Sequence, residues 1–133
     1  MSRSMHLFID TKSSLATLAQ EVSSLLRINL QRRADAHETW YEYDDATTVL
    51  TLGTHDFEND RDMNFEDYRY DIELRALNLD TPEEREQRLA DLVKVVYQKL
   101  KATQKYPLLL VDDLQVKLAE FSPQLAVVMP TPT

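Results

Sequence analysis

The chain has 133 residues, 43% apolar and 29% charged, with a formal net charge of −8. That is the size and composition of one folded domain that can bury a core without cross-links. It contains no cysteine, which removes disulfides, thiol catalysis and thiolate metal sites together. Its single glycine, Gly53, excludes Gly-rich phosphate loops, because backbone amides approach a phosphate closely only where side chains are missing. Turns are therefore expected to fall on Asn, Asp and Pro. No apolar run approaches the roughly 20 residues of a membrane span, and the first residues lack the apolar stretch of a secretory signal.

In chain order, Met1–Met5 are given no structural weight, and His6-Leu7-Phe8-Ile9 reads as a first strand. A helix follows, with Ser13 or Ser14 as N-cap. Leu15, Leu18, Val22, Leu25, Leu26 and Leu30 recur at three- and four-residue spacing on its buried face. Arg27, Arg32 and Arg33 fall at or beyond its C-terminal end, and residues 32–37 read as a loop. Thr39–Tyr43 and Thr47–Leu52 form a hairpin turning at Asp44-Asp45, with Gly53 ending the second strand. A polar, acidic stretch from His55 to Asp67 reads as a long loop or an exposed edge. Tyr68, Tyr70, Ile72 and Leu74 then alternate with Arg69, Asp71, Glu73 and Arg75, the period of a half-buried strand.

Thr81-Pro82-Glu83-Glu84 has the form of a capping box with Pro at the first helical position. Leu89, Leu92, Val93, Val96 and Leu100 mark the apolar stripe of this second helix, which is expected to end near Thr103. Leu108–Val111 reads as a buried strand. Leu114, Val116 and Leu118 suggest one more, with a short helix capped by Asp113 as the alternative. The predicted architecture is an α+β two-layer sandwich, β-α-β-β-β-α-β(-β), with both helices on one face of an antiparallel or mixed sheet. It comprises one domain over residues 1–121 and a Pro-rich tail over 122–133.

The charge is uneven. Between Tyr41 and Leu74 stand eleven acidic side chains and two basic ones, Arg61 and Arg69, so this third carries −9 and the rest of the chain sums to +1. Crowded like charges oppose folding. Three readings account for tolerating them: a solvated loop, a docking surface for a cationic partner, or a hard-metal site. For metal, Asp56, Glu58, Asp60, Asp62 and Asp67 have a spacing like that of a calcium loop, but Arg61 stands where such a loop needs glycine. Asp71 and Glu73 faintly match the acidic pair of metal-dependent nucleases, with Arg75 where a lysine belongs. A metal-dependent enzyme using residues 56–73 is the alternative function.

His6, His37 and His55 have no metal-type spacing and read as structural, although His55 beside Asp56 is placed to be held protonated. Ser13 and Ser14 lack the context of a nucleophile. Trp40, Tyr41, Tyr43, Tyr68 and Tyr70 concentrate aromatic surface on the strands flanking the acidic segment; those facing outward would serve as binding anchors, and Trp40 is expected to be buried. The candidate partner-binding residues are Glu42, Tyr43, Asp56, Glu58, Asp60, Asp62, Glu66, Asp67, Tyr68, Tyr70 and Asp71. No catalytic residue, metal or cofactor is assigned.

Small, cysteine-free, acidic chains with an aromatic hairpin such as Trp40-Tyr41-Glu42-Tyr43 and a dense Asp/Glu stretch resemble bacterial immunity proteins, which neutralise the toxins of polymorphic or contact-dependent inhibition systems. The resemblance spans the layout of residues 5–121. It implies a cytoplasmic, non-catalytic inhibitor whose acidic region fills the basic cleft of a toxin domain, such as a nuclease, in place of a phosphate backbone. The expected partner is therefore a basic protein, neither nucleic acid nor membrane.

Overall fold

Strand β1 (Ser4–Ile9) enters the centre of the sheet directly, and a computed structural model describes residues 4–45, 47–77 and 81–123 around it. Met5 is already buried there, so Ser4 and Met5 carry more structure than expected. Ser14 then caps α1 (Leu15–Leu26) by accepting the Thr17 amide, and the helix ends where Arg27 turns left-handed. Leu30 is buried beyond that end, not on the helix.

Residues 32–34, expected in a loop, belong to β2 (Gln31–Ala34), a short and fully exposed edge strand. Its pairing with β3 (Thr39–Asp44) supplies the backbone bonds that its own side chains give no sign of. Asp35 closes the β2–β3 turn on the amides of His37 and Glu38. Asp45 does the same for Thr47 and Thr48 at the start of β4 (Thr48–Thr54). These amide bonds hold both carboxyls below the usual aspartate range. Gly53 lies inside β4 and does not end it.

After the acidic segment, β5 (Tyr70–Ala76) runs antiparallel to both β4 and β1. Helix α2 (Pro82–Ala102) begins as its sequence signals, with Thr81 accepting the Glu84 amide and Lys99 and Lys101 in the last turn. Replacing Thr81 with Ala should cost about 1 kcal/mol, read as a lower midpoint in urea with an unchanged slope. The helix leads to β6 (Leu108–Asp112), which pairs with β1 on the side opposite β5. A β5-α2-β6 crossover thus spans β1. The last strand, β7 (Val116–Phe121), starts later than the expected Leu114 and has a bulge opposite Leu110 and Val111. The expected tail falls almost wholly on residues 124–133, outside the described ones.

The protein is α+β, with one antiparallel seven-stranded sheet in the order β2-β3-β4-β5-β1-β6-β7 and two helices. Both helices pack on one face: Leu18, Val22, Leu89, Val93, Val96, Tyr97 and Leu100 share a core with Leu7, Ile9, Leu52, Ile72, Leu74, Leu108 and Leu110. Leu92, placed in the stripe by its spacing, is only half-buried, whereas Tyr97 is inside. Left-handed turns fall on Arg27, Arg61, Gln104, Asp113 and Leu114, and of these only Asp113 is of the expected residue types. No helix is long and apolar enough to cross a membrane among the described residues.

Candidate functional site: the acidic segment and the helix-free face

Strand alternation gives β1 two faces. Met5, Leu7 and Ile9 point to the helices, while His6 and Phe8 point the other way. Apolar side chains on a face without helices need another cover, and residues 55–68 provide it. Met63, Phe65 and Tyr68 are buried against Phe8, Leu109 and Val111, with Phe57 and Leu114 packed around them. The rings of Phe65 and His55 lie 4.8 and 4.9 Å from that of Phe8, and Phe57 lies 6.0 Å away. The stretch read as a loop or exposed edge is therefore a partial third layer with a core of its own.

Its backbone is closed locally. Asp60 and Met63 exchange amide bonds across a turn at Arg61. One level out, the Asn59 amide donates to the Glu66 carboxylate and the Glu66 amide to the Asn59 side chain, at 3.1 and 2.9 Å. His55 donates through Nε2 to the Tyr68 carbonyl at 2.7 Å and accepts the Phe57 amide at Nδ1. Each ring nitrogen of His55 thus has a backbone partner within the segment. Lys117 reaches over from β7 to the Asp62 carboxylate at 3.6 Å and to Glu120 at 3.2 Å. The hydrogen bond to Glu120, assisted by both negative charges, raises the Lys117 pKa.

With the apolar residues turned inward, the acids face out. Asp56, Glu58, Asp60, Asp62, Glu66 and Asp67 are all exposed. These six expected partner-binding residues lie on one segment of the chain. The other five are placed differently. Tyr68 is 8% exposed and Tyr70 4%, so neither presents an anchor. Burial first, then the charges of Glu120, Asp67 and Asp10, pushes the Tyr68 phenol up to about 12, and the Tyr70 hydroxyl donates to the Ser13 carbonyl at 2.7 Å. Tyr43 packs with Tyr41 on the helix side, and its hydroxyl donates to Asp45. Glu42 lies on the helix-free side and accepts the Trp40 indole N–H at 3.3 Å. Asp71 is bound by His6.

That last contact is the principal buried polar one. His6 Nδ1 stands 3.0 Å from both Asp71 carboxylate oxygens, and its Nε2 stands 3.2 Å from Ser4 Oγ and 3.7 Å from Glu73. Burial disfavours the imidazolium. The Asp71 hydrogen bond and the charges of Asp71, Glu73 and Asp113 outweigh it, and the pKa rises above the ordinary 6.5. Phe57 abuts the same ring edge-on at 5.9 Å. The charged pair and the acidic segment therefore meet.

Beside this contact the helix-free face stays open over β3 and β4. A cleft of about 460 Å³ there is lined by Glu38, Trp40, Gly53, Asp56, Phe57 and Glu73, among others. Trp40, expected in the core, is only half-buried and forms one wall. Sequence reasoning passed over Glu38 and Gly53 as site residues, and weighed Glu73 only as one of an acidic pair with Asp71. Among the described residues, no three His, Asp or Glu side chains converge as a metal site requires. In comparisons with protein-family models, curated proteins and solved structures, nothing matches this chain.

Proposed function

We propose that the protein is a non-catalytic binding protein that presents the 56–67 surface to a basic partner protein, and that it acts in the cytoplasm as an immunity protein neutralising a toxin domain. The observation that supports this reading most directly is the two-sidedness of the acidic segment. A merely solvating loop has no need of a core, whereas here Met63, Phe65 and Tyr68 are buried and six carboxylates are held outward. A surface fixed before contact loses less entropy on association, and its field steers a cationic partner and rejects anionic ones. The resemblance to immunity proteins supplies the biological setting.

The geometry also selects the variant to test. Asp62 and Glu66 hold the segment together through Lys117 and Asn59, so reversing them would loosen the surface as well as recharge it. Glu58, Asp60 and Asp67 are exposed and cleaner. A Glu58→Lys/Asp60→Lys/Asp67→Lys chain should keep its circular-dichroism spectrum and thermal midpoint. It should fail to rescue growth of cells expressing a toxin encoded beside the gene, where the unaltered chain rescues. Complex formation should also weaken as salt shortens the screening length from about 30 Å at 0.01 M to about 8 Å at 0.15 M. Full rescue by the triple variant would sink the proposal.

A further inference from the structure

The acidic segment covers only the β1–β6–β7 half of the helix-free face, and the cleft lies where that cover stops. Among the described residues its lining includes Glu38, Asp56, Asp71 and Glu73 and no Lys or Arg. Of these, Asp71 is already hydrogen-bonded to His6, whose Nε2 also stands 3.7 Å from Glu73. Trp40 and Phe57 provide apolar walls, which lower the local dielectric and strengthen any charge interaction inside. The Trp40 ring is fixed by its N–H bond to Glu42. Gly53, the only glycine in the chain, is part of the lining. Glycine weakens a strand interior and often marks a place that another group approaches closely. A Cβ at this position would stand 3.3 Å from the Trp40 Cβ and press on the cleft wall.

We propose that this cleft is the subsite for one arginine side chain of the basic partner, with the guanidinium against the Trp40 ring and paired with the carboxylates of Glu73 and Asp56. The inference rests on the docking reading above and says where that surface has depth. Charge complementarity calls for a cation, and the mixed lining selects which one. Guanidinium is planar, stacks on indole, pairs two-pronged with carboxylate and gives up water more readily than ammonium. A volume of about 460 Å³ falls in the range of roughly 300–1,000 Å³ typical of small-ligand pockets. It suits an inserted side chain better than a flat protein surface.

The test uses the whole chain and N-acetyl-arginine amide as probe, with the matching lysine and citrulline amides as controls. Trp40 is the only tryptophan, so its fluorescence and its indole N–H resonance both report on the cleft. The arginine amide should give saturable shifts centred on the Trp40 indole and the Gly53 amide. The lysine amide should bind at least fivefold more weakly, and the citrulline amide should give no saturable shift. Glu73→Gln and Trp40→Leu should each weaken the arginine amide at least fivefold while leaving the thermal midpoint within a few degrees. No saturable shift, equal binding of the lysine or citrulline amide, or shifts scattered over Glu58, Asp60 and Asp67 would overturn the subsite. Because the Glu58/Asp60/Asp67 variant leaves the cleft lining intact, loss of rescue by that variant without a cleft signal would overturn this inference alone. A cleft signal with full rescue by that variant would instead overturn the docking reading.

Discussion

Phe8→Ala should destabilise the protein by about 3–5 kcal/mol and release the acidic segment from the sheet before the rest of the fold gives way. Phe8 is fully buried, and its ring contacts His6, His55, Phe57 and Phe65. It is the sheet's main contribution to the small core on the helix-free side, so truncation leaves a cavity that few neighbours can fill. That core is also the thinner one and carries the self-repelling part of the chain. Native-state hydrogen exchange distinguishes local from global loss. The amides of Asp60, Met63 and Glu66, which are bonded within the segment, should exchange far faster than those of β4 and β5. A matched Leu18→Ala change on the helix side serves as the control: it should lower global stability while the segment keeps its protection relative to the strands. If Phe8→Ala left those three amides as protected as the sheet, the segment would not depend on this core.

Asp71→Asn should cost about 1–3 kcal/mol near pH 6 and remove most of the pH dependence of stability above pH 6.5. His6 and Asp71 have side chains 5% and 12% exposed, so solvent screens their attraction little. The folded-state pKa of His6 lies above its unfolded value of 6.5. Its contribution is therefore fully present below pH 6.5 and is lost as the pH climbs through the raised value. Urea midpoints measured from pH 6 to pH 9 should fall for the unaltered chain and stay nearly flat for the variant. The histidine resonance of His6 should titrate above 6.5 in the former and drop in the latter. The loss stays in this range because His6 sheds its proton rather than remain a buried, uncompensated charge. A flat profile in the unaltered chain would contradict the pairing. Since Phe57 abuts the His6 ring, the same titration should move resonances in the acidic segment.

What was legible in the sequence was local. The Ser14 and Thr81 caps, the apolar stripe of α2 and its end at Ala102, the β3–β4 hairpin and the alternation of β5 all depend on residues a few positions apart. So does the charge asymmetry, and with it the six exposed carboxylates from Asp56 to Asp67. The tertiary structure decided the rest, because burial depends on partners distant in the chain. Gln31–Ala34 has an exposed, unpatterned sequence and becomes a strand only because β3 offers it a ladder. Phe57, Met63, Phe65 and Tyr68 are lost among acids when read in order. They become a core once β1, placed centrally, turns Phe8 toward them. Tyr68 and Tyr70 read as anchors and are buried, while Trp40 read as core and borders a cleft. Composition placed the negative charge in the middle third of the chain, and only the pairing of β1 between β5 and β6 gave that charge an inside, an outside and a cleft at its edge.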